Sequence, residues 1–305
     1  LRKMSARVTA LASIMGAAQS SPPPPPSTLT GVIAEQMGAM ATEGTVAVGL
    51  ACLAAQIVLY VAFAHVLPAG PWKVEPGFTA HQVVVLPLMI YMAYIGNVSW
   101  WPHFGASEAT FDDRVFQRNA VGEHLAQLAI CELLFWDIPT GLAVKSMRDP
   151  VMMGHHIGML MAAYIGTQVT WSYYAIFFFG TCEVSGIFLS IVDVFHPKHK
   201  EWAALSDASP LVGAINNVAR VAFVLAYALM RAVYFPWVVF ANGIPDLIRA
   251  LALPTEQRAN VSDTMMFAPW LLGVPFCLLQ WYWGVLLVKQ IVKVLSPKPA
   301  NKKSQ

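Results

Sequence analysis

The chain has 305 residues, 57% of them hydrophobic and only 12% charged, about half of the roughly 25% typical of a soluble domain. Too few polar residues remain to coat a soluble surface of that size, which excludes a soluble enzyme, a disordered regulator and a collagen-like fibre. The net charge of +2, spread along the chain, also excludes a nucleic-acid partner, and the sequence reads as an all-α polytopic membrane protein.

Residues 1–44 are expected to form a Pro-rich tail. Leu1 to Ala34 contains three basic residues and no acidic one, and closes on the proline run between Ser20 and Ser27. Such a run is extended or polyproline II. The tail reads as disordered, as the remnant of an organelle-targeting segment, or as a partner-binding arm. Residues 45–78 then hold an extra first transmembrane helix and a loop, and residues 296–305 a basic tail.

A spanning helix needs about 20 mostly apolar residues, and seven stretches qualify as expected spans. In order they are Thr45 to Val66, Gln82 to Ser99, Ala120 to Val144, Val151 to Thr170, Tyr173 to Phe195, Gly213 to Ala241, and Met265 to Leu287 continuing towards Leu295. Trp and Tyr gather near their ends, as in an aromatic belt. Lys73, Lys145, Arg148, Lys198, Lys200, Lys289, Lys293, Lys298, Lys302 and Lys303 fall on the side of the C-terminus. Arg114, Arg118, Arg249 and Arg258 fall on the other, with Arg2, Lys3 and Arg7 farther off. This excess predicts a cytosolic C-terminus and, with seven spans, an N-terminus outside. Cys52, Cys131, Cys182 and Cys277 all sit in apolar stretches without a CxxC pair, so neither a disulfide framework nor a metal site is expected.

Ionisable groups at membrane depth are costly unless they face a partner or a polar interior. Arg220 and Arg231 are 11 residues apart, about three helical turns, and share a face with Tyr227 and Tyr234. Glu123 and Asp137 are 14 apart and share another, with Glu132 pointing elsewhere. These stripes fit either structural ion pairs or a cavity for a lipid headgroup, for which guanidinium supplies a bidentate fork. Pro236, just beyond the arginine stripe, is expected to kink its helix. His155 and His156 differ by about 100° on a helix, so one imidazole can enter a cavity while the other supports it, and either can act as base or nucleophile.

Several segments resemble the TLC (TRAM–LAG1–CLN8) domain family. They are Trp136-Asp137-Ile138, Asp149-Pro150, His155-His156, Cys182-Glu183-Val184-Ser185, the stretch from Arg231 to Pro236, and Gln280-Trp281-Tyr282-Trp283 followed by Lys289 and Lys293; His81 fits the start. The resemblance covers residues 79–295 and implies a TLC-type helical barrel. Ceramide synthases of this family carry His-His followed by His-Asp-x-x-Asp. At the corresponding spacing, Glu183 replaces the first Asp, 27 residues after His156, while Cys182 replaces the His and Gly186 the second Asp. Asp193 lies about 280° round the helix from Glu183 and is a poor replacement. The pattern is closer to the TLCD-type branch, whose members are tied to membrane lipid composition.

The reading that results is a protein that binds or remodels membrane lipid in a polar intramembrane cavity. His155, His156 and Glu183 line it as catalytic candidates, with Asp137, Arg220, Tyr227 and Arg231 as lipid-binding wall. No cofactor is expected. A second reading is an acyltransferase that takes acyl-CoA; the resemblance implies that a histidine of the pair would act as base or acyl carrier, with Glu183 orienting it. A third is an accessory subunit of a larger membrane complex, joined through the N-terminal arm. Lys302 and Lys303 resemble a di-lysine signal, so an endoplasmic-reticulum membrane is expected; the acid-free N-terminus points to the alternative, a mitochondrial or plastid membrane.

Overall fold

The computed structural model describes residues 38, 40, 44–101, 109–168, 170–258 and 261–296. The Pro-rich run, with its three readings, and Lys298, Lys302 and Lys303 lie outside the described residues. The chain divides into two compact units, residues 1–42 and 43–305, and the helices below belong to the second.

In chain order these are α1 (Thr45–Val61), α2 (Pro76–Trp100), α3 (Phe111–Val115), α4 (Ala120–Glu132), α5 (Ile138–Ala143), α6 (Pro150–Gly166) and α7 (Ser172–Phe179). There follow α8 (Val184–Val194), α9 (Lys200–Ala208), α10 (Pro210–Ala226), α11 (Phe235–Trp237), α12 (Ile244–Leu251) and α13 (Asp263–Leu295). Local chemistry sets many of the starts. Asn119, Asp149, Ser209 and Ser262 cap α4, α6, α10 and α13 through side-chain oxygens that accept a backbone N–H, and proline follows two of them at the first helical position, where its missing N–H costs nothing.

Among the described residues, six stretches are long and apolar enough to cross a membrane: Thr45–Val66, Pro76–Trp100, Phe111–Ala143, Ser172–Val194, Pro210–Leu251 and Asp263–Lys293. The protein is therefore an all-α polytopic membrane protein. The expected fourth span, Val151 to Thr170, is cut to the 17 residues of α6, about 26 Å. It ends at Gly166 with Thr167 as its C-cap, and Trp171, at a φ of 72°, opens the next helix as its N-cap. Still, α6 carries the chain back: the backbone N–H of Asn119, before α4, donates to Ser172 Oγ at 2.8 Å, at the start of α7. The second span begins six residues earlier than expected, so His81 lies inside α2.

Among the described residues the helices widen at Ala62–Val66, Leu133–Asp137, Tyr227–Tyr234 and Val238–Gly243 into π-turns closed by i→i−5 bonds. Each ends two residues before a proline: Pro68, Pro139, Pro236 and Pro245. A proline ring clashes with the carbonyl four residues back, and opening the turn by one residue relieves the clash. Pro236 thus widens its helix, which continues from Pro210 to Leu251. Pro87, Pro269 and Pro275 sit in α-helical turns without such widening.

The core lies where α4 packs against α7, with Leu125, Leu128, Ile176 and Phe177 fully enclosed. On α10 and α13, Val218, Val221 and Leu271 stay exposed, as expected of surfaces that face lipid.

Candidate functional site

Asp137 closes the π-turn between α4 and α5. Its Oδ1 accepts a hydrogen bond from His81 Nε2 of α2 at 2.6 Å, and its Oδ2 lies 2.6 Å from His156 Nδ1 of α6, a charge contact whose angle falls short of a hydrogen bond. One buried carboxylate thus joins two imidazoles from two other helices. His81 stacks on Trp136 at 4.8 Å, the Trp136 indole donates to Gln56 Oε1 at 3.3 Å, and Gln56 Nε2 donates to the Gly77 carbonyl at 2.9 Å. This chain fixes α1, α2 and the π-turn relative to one another. The His156 side chain remains 23% exposed, and because its Nδ1 is enclosed, the open part of the ring is the side away from Asp137.

Glu183 is held differently. Arg231 of the Tyr227–Tyr234 turn donates through one terminal nitrogen to both Glu183 oxygens, at 3.2 and 3.3 Å, and through Nε to Ser185 Oγ at 2.6 Å. Ser185 Oγ in turn donates to the Cys182 carbonyl at 3.1 Å. Glu183 reaches this position because the helix breaks at Gly180 and tightens to a 3₁₀ turn over Thr181–Glu183. Gly180 faces Gly96 of α2 so closely that a Cβ on either would fall 2.4–2.6 Å from the other's Cα. Gly180→Ala is therefore expected to push α2 and α7 apart, lower stability by about 1–3 kcal/mol and move Glu183 off Arg231. Chemical unfolding in detergent would measure the loss, and an unchanged midpoint would contradict this packing.

His155 meets Phe276 and Trp283 of α13 edge to face, at 5.4 and 5.2 Å, and its ring is 5.7 Å from that of His156. Neither histidine hydrogen-bonds Glu183; His156 senses the charge of Glu183, and His155 that of Arg231, at longer range. His155, His156, Asp137, Glu183 and Arg231 thus lie in one polar region.

Of the other expected wall residues, Tyr227 lies within range of the Arg231 charge, and Arg220 lies apart from the region. Arg220 bonds to Asn216 Oδ1 and the Phe195 carbonyl and is exposed; it is also about 16 Å from Arg231 along the helix, and the π-turn between them shifts the stripe. Tyr227 donates to the Gln280 carbonyl at 2.7 Å and ties α10 to α13. Glu123 pairs with Arg118 at the start of α4, away from Asp137. Glu132, expected to point elsewhere, is buried and lies within reach of the charges of Asp137 and Glu183. Residues five apart on an α-helix diverge by about 140°, and the extra residue of the π-turn brings Glu132 and Asp137 nearly into line. Pro139 was the signal for that turn. For the role of Ser185 the sequence holds no comparable signal.

An apolar pocket of about 50 Å³ lies between α6, α7 and α13, and its walls include Met159, Gly166, Phe178 and Phe276. Phe276 is shared: one part of its ring meets the pocket and another meets His155. Met159 lies one turn beyond His155 on α6.

Comparison with protein families matches residues 72–289 to the TLC domain of the TRAM, LAG1 and CLN8 proteins. The chain belongs to the TLC domain family. Comparison with curated proteins and with solved structures returns no significant match. The match takes in every residue of the polar region of this TLC-domain protein and all of its apolar pocket, in a family that is generally lipid-associated.

Proposed function

We propose that this TLC-domain protein binds a membrane lipid inside the helix bundle, with the polar end at His155 and His156 and the hydrocarbon in the pocket beyond Phe276. The observation that carries this reading is the juxtaposition of a partly open histidine pair with an apolar pocket, across one shared aromatic wall. A lipid needs both: hydrogen-bonding groups at one end and apolar surface at the other. The seven-span count belongs to the same reading, with α6 as the seventh crossing. Asp137 positions His156, and Arg231 keeps Glu183 neutralised beside the headgroup. The motif pattern supports a reading nearer the TLCD-type branch than the ceramide synthases.

Lipids extracted from the purified protein and identified by mass spectrometry test it. A His155→Ala/His156→Ala variant is expected to retain about tenfold less of the lipid class enriched by the wild type, the equivalent of roughly 1.4 kcal/mol. Equal retention would sink the reading.

One observation favours the acyltransferase reading as an alternative. His156 Nδ1 lies 2.6 Å from a carboxylate while the rest of its ring stays open, the placement of a general base beside an acid. In that case His156 takes a proton from an amine or hydroxyl, and acyl-CoA is the donor. Acyl transfer by purified protein, lost in His156→Ala, would decide for it.

A further inference from the structure

We propose that Trp171 and Trp270 form the floor of the hydrocarbon pocket and set the length of the chain it takes, an inference that rests on the lipid reading above.

The pocket lies along the helices. One wall follows α6 from Met159 to Gly166, and another follows α13 from Phe276 back to Pro269. Each stretch covers about 10 Å at 1.5 Å per residue. The Met159 and Phe276 end adjoins His155, and the Gly166 and Pro269 end meets Trp171 and Trp270. A chain that enters from the histidines therefore runs towards the two indoles.

The floor is rigid. Trp171 and Trp270 meet edge to face at 5.1 Å and 90°, and Tyr174 packs against both, at 6.0 and 5.5 Å. Tyr174 is itself anchored: its hydroxyl donates to Asp246 at 2.6 Å, and Asp246 is clamped by a bidentate pair from Arg114 at 2.7 and 2.8 Å. Trp270 fills a notch over Gly243, where a Cβ would come within 1.8 Å of its ring. Trp171 has a φ of 72°, a region that side chains other than glycine rarely adopt. Its backbone N–H donates to the Val115 carbonyl at 3.2 Å, which helps to hold it there. Strained residues that the surroundings hold in place are concentrated at ligand sites.

The chemistry of the floor fits a hydrocarbon end. Both indole nitrogens are enclosed without a partner, so the pocket meets ring carbon there. A linear alkyl chain loses nothing on reaching such a surface, whereas a headgroup would lose its hydrogen bonds. A fixed aromatic floor then stops the chain by contact, because interiors yield little to an extra methylene.

The test compares the chain lengths of lipids that co-purify with the full chain. Trp270→Ala opens the floor and is expected to shift the retained chains towards greater length. Ala162→Leu, on the pocket wall, fills space above the floor and is expected to shift them towards shorter length. Chain-bearing lipids retained with unchanged lengths in both variants would overturn the ruler and leave the lipid reading standing. A wild type that retains no chain-bearing lipid would overturn both. Should Trp270→Ala fail to fold, Ala162→Leu decides alone: shortening supports the floor and an unchanged distribution overturns it.

Discussion

Arg231→Met is expected to destabilise the protein by about 3–5 kcal/mol, the range for a buried ion pair that loses one partner. Arg231 and Glu183 are each only 13% exposed, and the guanidinium also satisfies Ser185. Methionine fills much of the same volume, so the loss reports charge and not packing. Glu183 is left uncompensated in a region that already holds Asp137 and Glu132. The double variant Glu183→Gln/Arg231→Met is expected to be markedly more stable than Arg231→Met alone, because it removes the orphaned charge. Chemical unfolding of the four proteins in one detergent gives the cycle. A loss below about 1 kcal/mol, the range of solvated pairs, would mean that water reaches the pair and that the polar region is wet throughout.

Asp246→Ala is the second large effect. Asp246 is buried and receives three hydrogen bonds, two from Arg114 and one from the Tyr174 hydroxyl. Its removal strands a guanidinium and a phenol together. The expected loss lies near the lower end of about 3–5 kcal/mol, since Arg114 is 27% exposed and can recover some hydration. Because α3, α7 and α12 meet at this carboxylate, the loss should appear as a lower thermal midpoint. It should also free Tyr174 and broaden the range of chain lengths in co-purified lipid. A normal midpoint would show that packing alone fixes these helices.

Composition and hydropathy by themselves determined the membrane class, the all-α content and the approximate place of six long helices, because lipid demands long apolar runs whose backbone bonds are internal. The order of short motifs determined the family. Single residues of the candidate site, His155, His156, Asp137 and Glu183, were legible as costly ionisable groups at membrane depth. Their partners were not. Regular helical phase put Arg220 and Arg231 on one face, three turns apart, and turned Glu132 away from Asp137; π-turns ahead of Pro236 and Pro139 insert a residue into that period. The pairing of Asp137 with His81 joins residues 56 positions apart, and that of Glu183 with Arg231 residues 48 apart. Contacts at that separation depend on how helices cross, and the crossings are set by such close approaches as Gly96 on Gly180. Sequence spacing carries rotation about one helix axis, but not the distance between two axes, and only the tertiary structure supplied that.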